Sequence, residues 1–379
     1  MRVAFYAPLK PPASLTPSGD RLIARLLMAG LESSGNQVHL ASRFRSYDRH
    51  GDARRQARIK LIGERIADRL IRRYRAMSAV KNPQLWFTYH LFFKAPDWIG
   101  PRVSQALGIP YVVAEASFAP KQVDGPWAIG TQAVVETLAM ADLVIGMNVG
   151  DAECVRPLLS SPDLYAELRP FIDVEPFAAA HQKREAHRRA LSQRLGLDMD
   201  DTWLLTVAMM RHGDKVESYQ ILGRALESMM IASWRLLVVG SGPATADVET
   251  ALSGCGSRVL WLGEFEHDRL PAIYAACDAF LWPAVKETPG MCFLEAQAAG
   301  IPVVGGRAGG VPSVVSDGET GFLTAPANAT DFRAATARLI DDNNLRRLMG
   351  RAAARRMAER HTVVAAGNAL NQMLGNLVA

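Results

Sequence analysis

Two glutamates, Glu287 and Glu295, stand with seven residues between them in the run Glu287-Thr288-Pro289-Gly290-Met291-Cys292-Phe293-Leu294-Glu295. Carboxylates accept strongly from hydroxyl groups, and a helix amino terminus offers unpaired N–H groups and a positive dipole to an anion. A carboxylate in a loop and a second one inside the following helix therefore suit a ligand that joins phosphate to hydroxyls, as a sugar nucleotide does. Two elements must position them. Asp278-Ala279-Phe280-Leu281 reads as a buried strand, and Glu295-Ala296-Gln297-Ala298-Ala299 is a good helix former closed by Gly300 and Pro302. The loop between falls at a strand's carboxyl end, where open α/β sheets bind ligands.

The same segment resembles a known family. The glutamate spacing, Leu294-Glu295-Ala296, Ala299-Gly300-Ile301-Pro302-Val303-Val304, Gly309-Gly310-Val311-Pro312-Ser313-Val314-Val315 and Asp317-Gly318-Glu319-Thr320-Gly321-Phe322-Leu323 together are similar to the donor half of retaining family 4 (group 1) glycosyltransferases. The resemblance implies the α/β fold called GT-B, two doubly wound Rossmann-like domains facing each other across a cleft. It implies metal-independent hexosyl transfer from a UDP- or GDP-sugar to a lipid-linked or polysaccharide acceptor, in cell-surface polysaccharide biosynthesis. The nucleotide sugar is then a substrate, and no cofactor is expected.

The resemblance also assigns residues. Arg211 and Lys215, in Met209-Met210-Arg211-His212-Gly213-Asp214-Lys215, take the places of the pair that clamps the donor diphosphate. Glu287 would accept from the donor sugar and Glu295 from the ribose, with the N–H groups of Gly290, Met291 and Cys292 reaching sugar or phosphate. Gly263 and Phe265, in Leu262-Gly263-Glu264-Phe265, match the segment that lies along the nucleobase, and Gly19, in Pro17-Ser18-Gly19-Asp20-Arg21, takes the place of a Gly-rich loop over the phosphate. Gly240-Ser241-Gly242 after a strand is either a second phosphate loop or a simple turn. The chain departs from the pattern at Thr288-Pro289 and at Ala116, where many members carry a histidine six residues after the proline equivalent to Pro110. Glu115 or His90 is expected to supply the missing polar group. A catalytically weak nucleotide-sugar-binding or scaffold protein of a polysaccharide assembly system is the alternative reading.

At 379 residues, 49% hydrophobic and 21% charged, the chain can bury two cores. Strands alternate with helical stretches in two series, predicting parallel sheets covered on both faces. The boundaries expected are an acceptor domain over 1–178, a polar linker over 179–201, a donor domain over 202–360, and a last helix over 361–379 that returns to the first domain. No apolar run approaches a membrane span, and the amino terminus lacks a signal-peptide pattern, so a cytoplasmic protein is expected. The four cysteines have no metal-like spacing and read as free thiols.

Net charge is +5, yet thirteen Lys or Arg face only four Asp or Glu between Arg43 and Lys81, so the rest of the chain is acidic. Here Ile59, Ile62, Ile66, Leu70 and Tyr74 recur at helical spacing, surrounded by Arg54, Arg55, Arg58, Arg65, Arg69, Arg72 and Arg73. Such a helix either lies on an anionic membrane, at the inner face of the plasma membrane, or packs its stripe on the sheet with the arginines in water. Nucleic acid is not expected, since no recognition fold accompanies the charge.

Overall fold

The computed structural model describes residues 1–15, 18–229, 233–287 and 290–378. Pro17 and the Thr288-Pro289 departure lie outside the described residues. The chain divides into two compact units, Met1–Arg169 with Val363–Ala379, and Pro170–Thr362.

In the first unit the elements are β1 (Arg2–Tyr6), α1 (Gly19–Ser33), β2 (Gln37–Leu40), α2 (Ala53–Arg75), β3 (Leu85–Leu91) and α3 (Gly100–Leu107), followed by β4 (Tyr111–Ala116), α4 (Ala128–Ala139), β5 (Leu143–Gly146), α5 (Val149–Val155) and β6 (Tyr165–Glu167). All strand pairs are parallel, in the order β2-β1-β3-β4-β5-β6. A parallel sheet flanked by helices buries both strand faces. This is why β3 reads Leu-Trp-Phe-Thr-Tyr-His-Leu with all but His90 buried. Its buried threonine hydroxyl, Thr88 Oγ1, donates to Asp97 Oδ2 at 2.5 Å and accepts from Trp86 Nε1 at 2.9 Å.

The second unit contains α6 (Glu175–Gln182), α7 (Arg184–Leu195), β7 (Thr202–Val207), α8 (Asp214–Glu227), β8 (Trp234–Val239), α9 (Thr245–Leu252) and β9 (Val259–Gly263). It continues through α10 (Leu270–Ala276), β10 (Ala279–Trp282), α11 (Met291–Ala298), β11 (Val303–Gly306), α12 (Val311–Val314), β12 (Gly321–Thr324), α13 (Ala329–Asp341) and α14 (Asn343–Arg360). Its sheet is again all parallel, in the order β12-β11-β10-β7-β8-β9. The last helix, α15 (Val363–Gly375), packs on α1 in the first unit. Gly30 and Gly367 make that contact close, because a Cβ on Gly367 would stand 2.3 Å from the Gly30 carbonyl oxygen.

The stretch expected to be a linker is instead helical and belongs to the second unit. Its arginines are consumed inside the fold. Arg188 is buried, stacks on Trp203 with its guanidinium 3.9 Å from the ring centroid, and donates to Asp278 Oδ2 at 3.0 Å and to the carbonyls of Ala276, Met199 and Asp201. Arg184 grips the other oxygen of Asp278 at 2.7 Å. Asp278 also accepts from Trp203 N, so one carboxylate ties α7 to the starts of β7 and β10.

In α2 the buried face is turned from the expected stripe. Gly63, Ala67, Leu70, Ile71 and Tyr74 are buried, whereas Ile59 and Ile66 are half-buried and Ile62 is exposed. The cause is Trp98, whose Cβ lies where a side chain on Gly63 would stand, 2.5 Å away. Arg54, Arg55, Arg58, Arg65, Arg69, Arg72 and Arg73 are all exposed. Among the described residues no helix is long and apolar enough to cross a membrane.

Removing Arg188 leaves Asp278 partly unpaired and several buried carbonyls without a donor. Arg188→Ala is expected to destabilise the second unit by about 3–5 kcal/mol, and Arg188→Lys to recover little because an ammonium cannot replace the fork. Urea unfolding checks this, and an unchanged midpoint would contradict it.

Candidate active site

In the second sheet β7 has β8 on one side and β10 on the other. Strand order reverses at the β7/β10 pair, so the loops leaving their carboxyl ends diverge and open a crevice. One loop carries Arg211 and leads to Lys215 in the first turn of α8. The other carries Glu287 and leads to α11. Lys215 Nζ and Glu287 Oε2 are 2.5 Å apart, and Trp282 Nε1 donates to the same oxygen at 2.9 Å. The Trp282 ring lies under the ammonium, 5.2 Å from Nζ to the centroid. Arg211 is exposed in its loop.

Glycine explains how the Glu287 loop is held. A Cβ on Gly309 would stand 2.0 Å from the Glu287 carbonyl oxygen, which accepts from Gly310 N at 3.0 Å. Ala284, just after β10, has φ +52°, a left-handed conformation that costs a non-glycine residue on the order of 1 kcal/mol or more.

Glu295 is 6% exposed, so it is no solvated helix carboxylate. Tyr274 Oη donates to Oε2 at 2.9 Å, and His267 Nε2 lies 3.1 Å from Oε1. The bond to Glu295 raises the imidazole pKa of His267, although burial works against it. Phe177 presses edge-on against both rings. Gly290 caps α11 next to Phe293, and burial pushes the Cys292 thiol well up, so it stays neutral. All four cysteines are free.

The Gly-x-Gly segment packs against the Arg211 loop. A Cβ on Gly240 would come 2.0 Å from the Ala208 carbonyl oxygen, and one on Gly242 2.2 Å from that of Met210. Gly240 N donates to the carbonyl of Gly263, a residue with φ +72°, and Ser241 Oγ donates to Glu264 Oε2 at 2.8 Å. Phe265 lies between the guanidiniums of Arg194 and Arg269, at 6.0 and 5.7 Å. The structure thus gathers Arg211, Lys215, Glu287, Glu295, Gly263, Phe265 and Gly290 to Cys292 around the carboxyl edge of one sheet. It adds Trp282, Tyr274 and His267, which sequence reasoning missed. A buried tyrosine and a loop histidine carry no local signal of the carboxylate they serve.

The first sheet reverses at β1/β3, since β1 lies between β2 and β3. At those carboxyl ends stand Asp20, in the first turn of α1, and His90, at the end of β3, with His90 Nδ1 and Asp20 Oδ1 3.0 Å apart. Glu115 is the last residue but one of the neighbouring β4. Both His90 and Glu115 adopt left-handed backbone, φ +62° and +60°. Two such residues on adjacent strand ends store strain of about 1–3 kcal/mol each, a pattern that clusters at functional sites. Burial pulls the His90 pKa down, but the Asp20 hydrogen bond and the carboxylates of Glu115, Asp20 and Asp151 leave it raised. Burial raises the Glu115 carboxyl, whose Oε2 is buried without a hydrogen-bond partner. Ala116 is buried and offers no polar group. Gly19 opens α1 after the Ser18 cap, with open space where a side chain would project. Asp20 had no part in the sequence reading, although an acidic residue in a first helical turn was there to be seen.

Residues 201–342 match the family model described as Glycosyl transferases group 1. Over 140 residues the chain is 33% identical to sulfoquinovosyl transferase SQD2 of Arabidopsis thaliana, a match covering 36% of this chain and 27% of that protein. Over 246 residues it is 31% identical to the D-inositol 3-phosphate glycosyltransferase of Corynebacterium diphtheriae, covering 62% of this chain and 56% of the relative. The chain therefore spans less than two thirds of the length of these relatives. Among solved structures, Anabaena Alr3699/HepE in complex with UDP and glucose superposes with a TM-score of 0.71 at 17% identity, covering 99% of each chain. The chain is thus built on the GT-B fold, and residues 201–342 are similar to the group 1 glycosyl transferase family.

Proposed function

We propose that the chain transfers a hexosyl group from a UDP- or GDP-sugar to a hydroxyl of a lipid-linked or polysaccharide acceptor, retaining the anomeric configuration and using no metal. The observation that carries this reading is the Lys215, Glu287 and Trp282 cluster at the reversal point of the second sheet, inside the segment that matches the group 1 family. The bond from the anomeric carbon to the diphosphate oxygen breaks, and its electron pair leaves with the diphosphate. Arg211 and Lys215 offset the charge that builds there, as fixed cations do in a partly dry site. The acceptor oxygen bonds to the anomeric carbon on the same face, and its proton passes to the departing phosphate oxygen. Glu287 orients the donor sugar and Glu295 the ribose. The UDP and glucose bound to the Anabaena protein support a UDP-sugar.

In the first unit the acceptor hydroxyl meets His90 and Glu115. Asp20 occupies Nδ1 of His90 and leaves Nε2 for that hydroxyl. The exposed arginines of α2 favour an acceptor presented at an anionic membrane surface, each cation contributing on the order of 1 kcal/mol, as in cell-surface polysaccharide assembly.

Four measurements follow. Initial rates of transfer in Lys215→Ala and Glu295→Ala are expected to fall about 100-fold or more, and full activity in both would sink the site assignment. Donor binding by calorimetry without turnover in the native chain would favour a binding or scaffold protein, a reading suggested by Ala116. If neutral His90 accepts from the acceptor, kcat/KM rises with pH through its raised pKa, and Asp20→Asn, which removes two of the raising influences, moves that inflection to lower pH. An inflection that stays in place would remove His90 from the acceptor site. Sedimentation with anionic vesicles should show binding at low salt that is lost at high salt, and no binding at low salt would leave α2 a packing element only.

A further inference from the structure

At the opposite edge of the second sheet, by the amino ends of β7, β10 and β11, lies a cavity of about 550 Å³. This is the size range of small-molecule sites. One wall is α7, the other the first turns of α14, and both contribute arginines. They differ in how their charge is balanced. Arg184 and Arg188 are paired with Asp278. Arg346, Arg347 and Arg351 have no carboxylate within ion-pair distance among the described residues. Arg346 donates from Nη1 to the carbonyls of Leu339 and Ile340, and Arg347 to Asn344 Oδ1.

Arg346 is half-buried, and burial disfavours its charge. Asp278 and, more weakly, Asp342 work in its favour, while Arg184 and Arg188 work against it. A guanidinium removed from water without a full counter-charge is costly, and an anion in the cavity would relieve that cost. The amino end of α14, an 18-residue helix, opens on the same space through Asn343. Asp200 and Glu185 complete the lining as exposed carboxylates, groups that accept from hydroxyls.

We propose that this cavity binds a phosphorylated sugar, its phosphoryl group held by Arg346, Arg347 and Arg351 and its hydroxyls by Asp200 and Glu185. The site is separate from the candidate active site, and its occupancy does not depend on the transferase reading. It nevertheless touches the elements that hold that site. Asp278 immediately precedes β10, the strand that leads to Glu287, and Gly300 lies in the turn just after α11, which carries Glu295 and ends at Ala298. A Cβ on Gly350 of α14 would stand 2.2 Å from the Gly300 carbonyl oxygen, so α14 rests directly on that turn. A ligand that fixes α14 therefore acts on the far end of the helix that bears Glu295.

The test is calorimetry on the full chain with glucose 6-phosphate, inorganic phosphate and glucose, in the native protein and in Arg346→Gln, Arg351→Gln and Lys215→Ala. Glucose 6-phosphate is expected to bind at least about tenfold more tightly than inorganic phosphate, and glucose not at all. Each arginine variant should weaken it about tenfold, with melting temperatures in the absence of ligand confirming that the exposed Arg351 variant is folded. Lys215→Ala should leave it unchanged. Equal binding of inorganic phosphate would reduce the site to an anion trap and overturn the proposal. So would loss of binding in Lys215→Ala with retention in Arg351→Gln, which would place the ligand at the donor residues, or no binding at all.

Discussion

A parallel sheet whose strand order reverses cannot close over its own reversal point. Helices on either side of it leave for opposite faces, and the two loops there part from each other. Both units obey this constraint, at β1/β3 and at β7/β10. Asp20 and His90 in the first unit and the Lys215–Glu287 pair in the second follow from it. Side chains at such a place are only half covered, so their charges are strong but reachable. Glu287 meets both needs, held by a lysine and an indole on one oxygen.

Around the reversal point of the second sheet the backbone is pressed together in ways that only small residues allow. Gly309 lies on the Glu287 carbonyl, and Gly240 and Gly242 lie on the loop that carries Arg211. These glycines do their work by letting one loop brace another. Glu295 is fixed differently, by Tyr274 and His267, and so is a shaped acceptor before any ligand arrives.

How much of this was legible in the sequence depends on the range of the interaction. The alternation of strands and helices is local, and so is the glutamate spacing with its loop and helix, and both could be read. The function of Arg184 and Arg188 was hidden because their partner Asp278 is some ninety residues away, and a polar, arginine-rich stretch with an unseen partner looks like a linker. The turn of α2 was hidden for the same reason. Periodicity located a stripe, but Trp98 chose Gly63 as the contact and rotated the buried face. His267, Tyr274 and Asp20 have ordinary local contexts, and only the fold gives them carboxylate or imidazole partners.

The contact of α15 with α1 bears on how the chain is made. The glycine pair that seats α15 joins a helix near the start of the chain to one synthesised after the whole of the second unit. On a ribosome the first sheet can form early, but the face of α1 that receives α15 stays uncovered while all of Pro170–Thr362 is translated. The first unit to be started is therefore the last to be finished. Until α15 arrives, the apolar seam it covers on α1 stays open to water.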